Sequence, residues 1–210
     1  MADMHIVRRN TFIIGAVVQT FFLIYAVLFK QHFVLDTLFC LVAIGVFYLI
    51  EQRYPLNPVV IVLGFVPFYF HCIGVLFGFF GVSILGLGYD KWTHLINSMM
   101  TTLVIFYILV AHSKERIAKY IIIAVLMMLG INLLHEVNEF VGTRYLEILS
   151  ESLFSQGDAL PPSKSDLQIF DSYWDMLFDI FGGLLAALIL SIIRGFEKRH
   201  GRDYVRNYLL

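Results

Sequence analysis

The chain reads as an all-α, polytopic membrane protein: a bundle of six transmembrane helices with both termini in the cytoplasm. Three observations predict this. Of 210 residues, 59% are hydrophobic and the mean hydropathy is +0.79, well above a soluble domain. Apolar runs long enough to span a bilayer, about 20 residues each, recur along the sequence. The basic residues also segregate. With the N-terminus inside, Arg8, Arg9, Arg53, Lys114, Arg116, Lys119, Arg194, Lys198, Arg199, Arg202 and Arg206 face the cytoplasm, and only Lys30, Lys91, Arg144 and Lys164 lie outside.

The first span covers residues 11–29. Arg8-Arg9 precede it, but no small-residue cleavage site follows Phe29, so it reads as a retained helix and not a signal peptide. A short turn, Lys30-Gln31-His32, leads to the second span, 34–50. Pro55 and Pro58 stop that helix. The third apolar run, 59–87, is longer than a simple span. It contains Pro67 and five glycines, with Gly88 directly after it, which predict a kink, tilt or break. Gly74 and Gly78 have the small-xxx-small spacing of close helix packing. The fourth span, 93–111, follows Asp90-Lys91-Trp92. A basic turn leads to the fifth, 119–141, and the sixth runs from 172 to 193.

Between the last two spans, residues 142–171 form an acidic outer segment. Leu146, Leu149 and Leu153 have helical spacing there, and Pro161-Pro162 break it. No room remains for a soluble catalytic domain, so residues 1–210 are one integral membrane domain. Fifteen scattered basic residues exclude a phosphate-tracking nucleic-acid surface. Cys40 and Cys72 fall inside apolar runs, which argues against a disulfide framework. The partner is the lipid bilayer.

Three polar motifs interrupt the apolar pattern. In the sixth span Asp171, Asp175 and Asp179 recur every fourth residue, then Gly182, Gly183, Ala186 and Ala187 follow. On a helix these form one stripe, acidic at one end and small-sided at the other. An unpaired carboxylate near the bilayer centre costs about 2.5–3.5 kcal/mol on insertion scales, so the stripe needs partners. The start of the fourth span offers Asp90 and His94 at i,i+4. The end of the fifth offers His135, Glu136 and Glu139, where His135 and Glu139 are i,i+4 and Glu136 and Glu139 i,i+3. In the predicted topology all three motifs lie at the outer side. Trp92 and Trp174 beside them fit an interfacial belt. Asn97 and Asn132, a turn further in, deepen the cluster.

Carboxylates and imidazoles gathered from three helices can bind a divalent cation. With no thiolate in the set, Zn, Mn, Mg or Fe are conceivable. They can also do acid–base work or relay protons without a metal. Structural readings stand beside these. The set can be a polar network that fixes helix register, with Lys91 or Arg144 neutralising acids. Asp171 and Asp90 can be ordinary N-terminal helix residues favoured by the dipole. His71 reads as a satisfied core histidine, while His32 and Asp36 can join the outer cluster.

The order of these motifs carries a resemblance. DKxxH (Asp90-Lys91…His94), ExxE with a following Arg (Glu136, Glu139, Arg144), then DxxxDxxxDxxGG (Asp171 to Gly183) resembles the YjdF-type bacterial inner-membrane proteins over most of the chain. Over spans four to six it resembles the broader VanZ-like family, whose pattern is DKxxHF, ExxQ, DxxxNxxG. Glu139 and Asp179 here replace a glutamine and an asparagine, so this version is more acidic and leans toward cation binding. VanZ-like proteins are associated with low-level glycopeptide resistance. The resemblance implies fold, location and site positions, and names no reaction.

The leading expectation is a metal-binding site opening to the outer leaflet that acts on a lipid or cell-envelope precursor. Its core would be His94, Glu136, Glu139, Asp175 and Asp179, with His94, Glu139, Asp175 and Asp179 as metal ligands. Asp90 and Lys91 would form the rim, and Arg144 would attract a phosphate head group. A second reading is a carrier or an ion- or proton-coupled transporter. It needs a polar path onward to the cytoplasm, and only Gly, Ala and Leu follow Asp179 on that stripe. A third is a membrane scaffold held together by the cluster.

Overall fold

The computed structural model describes residues 2–111, 117–145 and 165–200. Six helices account for nearly all of them: α1 Ala2–Phe29, α2 Val34–Arg53, α3 Pro58–Phe77, α4 Tyr89–Ala111, α5 Ile117–Tyr145 and α6 Ser165–His200. Each is long and apolar enough to cross a membrane. The outside of the bundle is as apolar as the inside: Ile14, Phe21, Leu49, Ile122, Leu134 and Leu188 are all exposed. That surface would be untenable in water and needs no compensation in lipid. The leucines 146, 149 and 153 and the prolines 161 and 162 lie outside the described residues.

The helices pack as two groups of three. α1 lies against α2 and α3, and α4 lies against α5 and most extensively against α6; the α3–α4 contact joins the groups. A core of Phe12, Val60, Phe65, Phe106, Val110 and Leu190 runs through both. The α1–α3 group buries its own polar set, with His71 Nε2 at 3.3 Å from Asp36 Oδ1 and Gln19 donating to the Thr37 carbonyl at 3.0 Å. His71 is therefore paired, as expected, but half-buried and not a core residue. His32 is exposed and Asp36 turns to His71, so neither joins the outer motifs.

The long third run breaks instead of bending. Pro58 occupies the first turn of α3, where its missing N–H costs nothing, and Asn57 Oδ1 caps the helix by accepting from the Val59 N–H at 2.9 Å. Gly78, at φ 73°, ends it in the left-handed conformation. A 3₁₀ turn, Phe79–Gly81, follows, then a two-stranded hairpin of β1 Ser83–Ile84 and β2 Leu87–Gly88. Leu85 and Gly86 both have positive φ, as the tightest hairpin turns require. The spacing of Gly74 and Gly78 therefore serves no helix pair. A side chain at Gly74 would strike the Phe80 ring, whereas Gly78 has open space around it and acts as the cap.

The hairpin delivers the chain into α4 four residues before the predicted start. The Tyr89 N–H donates to the Val82 carbonyl at 2.9 Å, and its hydroxyl to the Phe70 carbonyl on α3, also at 2.9 Å. This early start puts Asp90 in the first turn and sets one buried stripe on α4: Asp90, His94, Ser98 and Thr102. α6 also begins early, at Ser165 and not 172, so Asp171 lies beyond its first turn and is no ordinary dipole-favoured residue.

Candidate functional site

Three stripes with i,i+4 periodicity meet at the end of the bundle where α4 and α6 begin and α5 finishes. α4 supplies Asp90, His94 and Ser98. α5 supplies Met128, Asn132 and Glu136. α6 supplies Asp171, Asp175 and Asp179, then Gly182 and Ala186. The small residues explain the close approach. A Cβ on Gly182 would land on the Leu95 carbonyl oxygen and close to the Ser98 and Met99 backbone region of α4, so only glycine lets the two helices meet here. One turn before that contact, the α6 acids are pressed against His94.

His94 is the centre. Asp90, His94, Glu136, Asp175 and Asp179 are only 1–7% exposed. The Nδ1 of His94 lies 3.1 Å from Asp179 Oδ1, which also accepts from the Ser98 hydroxyl at 2.5 Å. Ser98 is held in turn by the Asn132 amide at 2.6 Å. Such a carboxylate and its supports fix the imidazole's orientation. The other ring nitrogen, Nε2, faces Asp90 Oδ1 at 3.6 Å, Glu136 Oε1 at 3.7 Å and Asp175 Oδ1 at 3.7 Å. These gaps are too long for hydrogen bonds.

Lys91 closes the exposed end. Its ammonium binds Asp171 Oδ1 at 2.5 Å, Asp175 Oδ1 at 2.6 Å and Asp90 Oδ2 at 2.9 Å. The two parts of the site therefore differ in charge compensation. Asp90 and Asp175 have a cation. Glu136 has no well-formed hydrogen bond to either carboxylate oxygen, and Asp179 Oδ2 is also unpartnered, although all three atoms are buried.

Most of the residues singled out in the sequence converge here. His94, Asp175, Asp179, Glu136, Asp90 and Lys91 form one cluster. Glu139 lies beside it, paired with His135 at 3.2 Å, and the His135 ring centroid is 6.4 Å from that of His94. Arg144 belongs to α5, but its side chain lies outside the described residues. Asn132 reaches the cluster through Ser98, while the Asn97 amide oxygen is buried without a partner. Ser98 had gone unremarked in the sequence; its position four residues after His94 was the available signal.

Residues 10–195 match the family described as a predicted membrane protein, DUF2238. The chain belongs to that family. No curated protein and no solved structure matches it. The family match runs from α1 into α6, so in this DUF2238 protein it takes in all three stripes.

Two sets of donors in the DUF2238 site lie close enough to hold an ion, each with its atoms within 4.8 Å of one another: Asp90, His94 and Asp175, and His94, Glu136 and Asp179. Both combine one imidazole with two carboxylates, a donor set that suits Zn, Mn or Fe. Glu139 belongs to neither set. A carboxylate buried without a donor is costly, and a cation is the most direct compensation. The unpartnered oxygens belong to the second set.

Proposed function

We propose that this is a divalent-cation centre at the outer-leaflet side of a bacterial inner membrane, acting on a lipid-linked or cell-envelope precursor. His94, Glu136 and Asp179 hold the ion, and Asp90 and Asp175 complete its surroundings. The observation that carries this reading is the trio of buried carboxylate oxygens with no well-formed hydrogen bond among the described residues, two on Glu136 and one on Asp179, beside an imidazole that Asp179 already orients. An ion bound there would lower the pKa of its water and polarise a phosphoryl or carbonyl oxygen, the chemistry of hydrolysis or group transfer. The His135–Glu139 pair at the mouth would move the proton. Arg144 would receive a phosphate head group.

The placement of the site rests on the asymmetry of lysine and arginine, which puts both termini in the cytoplasm. The resemblance to YjdF-type and VanZ-like proteins supports the same motifs as the working part. A one-ended site also favours an enzyme over a transporter. Below Asp179, Gly182 and Gly183 are packed against α4 and α5, and Ala186 and Leu190 are fully buried. Among the described residues, that stripe carries no polar side chain from Gly182 to Leu190.

The test is metal content. Protein purified in mild detergent without chelator should carry about one ion per chain by mass spectrometry, the load expected of one such donor set. His94→Ala and Asp179→Ala should lose it while remaining folded, and Glu139→Ala should keep it. No metal above background, even after reloading, would leave the cluster as a structural or proton-handling network.

A further inference from the structure

The site contains two adjacent cation positions, one beside His94 and one ringed by Asp90, Asp171 and Asp175, and the second is already filled by a side chain. Asp175 Oδ1, 3.7 Å from His94 Nε2, is the same oxygen that binds Lys91 Nζ at 2.6 Å. Asp90 instead divides its carboxylate, with Oδ1 at 3.6 Å from His94 Nε2 and Oδ2 at 2.9 Å from Lys91 Nζ. Asp90, His94 and Asp175 also have ion-binding spacing, but His94 Nε2 can serve only one ion, so the second position is the ring of Asp90, Asp171 and Asp175. What separates this set from the neighbouring one is its occupant. Where Lys91 reaches, the carboxylates meet an ammonium; where it does not, Glu136 and Asp179 face the His94 ring, and both Glu136 oxygens and Asp179 Oδ2 lack a well-formed hydrogen bond among the described residues.

We propose that the Lys91 ammonium is the resident cation of the second position and keeps the centre mononuclear by excluding a second divalent ion. The inference rests on the reading that the His94–Glu136–Asp179 set binds a metal. An ammonium suits the role. It presents three donors in a small volume, and here it meets three carboxylates, with Asp171 as the third. A divalent ion entering beside the first would have to displace it, bringing two like charges close together with nothing gained in compensation. Without Lys91, Asp90 and Asp175 would be two buried acids lacking a cation, arranged with Asp171 to take one.

Mn²⁺ is the probe, because paired Mn²⁺ ions are exchange-coupled and a single ion is not. The metal-stripped protein is titrated with Mn²⁺ and followed by calorimetry and electron paramagnetic resonance. Wild type and Lys91→Arg should bind about one ion with an uncoupled spectrum; Lys91→Met and Lys91→Gln should bind about two with a coupled one, as in dinuclear sites with ions some 3.5–4 Å apart. A neutral variant that binds one ion with the wild-type spectrum overturns this proposal and leaves the metal centre standing. Wild-type protein that takes two coupled ions also overturns it, and needs no variant. Wild-type protein that binds no Mn²⁺ or any other divalent ion instead brings down the metal reading itself.

Discussion

Gly182→Val will drive α6 away from α4 and destroy the site. The first added carbon falls on the Leu95 carbonyl oxygen, with Ser98 Cβ and the Met99 nitrogen also within 3.0 Å. Two of these atoms are helix backbone, which cannot turn aside as a side chain can. Overpacking a fitted contact typically costs about 1–3 kcal/mol, and a β-branched residue against backbone belongs at or above the upper end. The damage also propagates. Asp179 is less than one turn from Gly182, so a shift of α6 withdraws it from His94 and Ser98 together. Gly183→Ala is the matched comparison. Its added carbon meets the terminal methyl of Met128, which can rotate away, so the protein should fold and keep its metal. Folded yield by size exclusion in detergent, with metal content of whatever folds, separates the two. Gly182→Val protein that is monodisperse and metal-loaded would show that α4 and α6 do not depend on this contact.

Glu136→Met should make the metal-free protein more stable and the metal-supplied protein less so. Glu136 is 3% exposed, and neither carboxylate oxygen is well hydrogen-bonded. Replacing it with an apolar chain of similar size removes that unmet demand, worth about 1–3 kcal/mol. His94 keeps Asp179, Asp90 and Asp175 as neighbours, and Ser172, which approaches Glu136, is only half-buried. With metal the order reverses: an ion at 1,000 times its dissociation constant adds about 4.1 kcal/mol to the wild type alone. Thermal unfolding of both proteins, with chelator and then with metal, reads the crossing directly. If Glu136→Met is less stable under both conditions, the carboxylate is serving the fold. This trade of stability for function is expected of a binding site and not of a structural network.

The class of the protein and the positions of its helices were legible in one dimension. Apolar runs of spanning length need no knowledge of their neighbours, because each helix satisfies its own backbone in lipid. All six appear in the structure. Local spacing also carried the faces: Asp90 with His94, and Asp171 with Asp175 and Asp179, share a stripe by helix geometry alone. Two local features were harder to read. The apolar run to residue 87 concealed a hairpin, because Ser83–Gly88 is nearly as hydrophobic as the helix before it. Gly74 and Gly78 matched a packing motif, yet one makes room for Phe80 and the other caps α3.

Composition and spacing therefore determined a six-helix membrane protein with acids and histidines gathered near one end. They could not determine how those groups divide. Glu136 and Glu139 are only about 60° apart around α5, so either could have faced His94. The rotation of α5 against α4 turns Glu136 to His94 and leaves Glu139 to His135. The depth of α6, set where Gly182 meets the Leu95 carbonyl, decides that Lys91 reaches Asp171 and Asp175 and not Asp179. Helix rotation and depth are set by side chains interlocking between segments distant in sequence. Where each charge finds its partner follows from that packing, which periodicity along a single helix does not record.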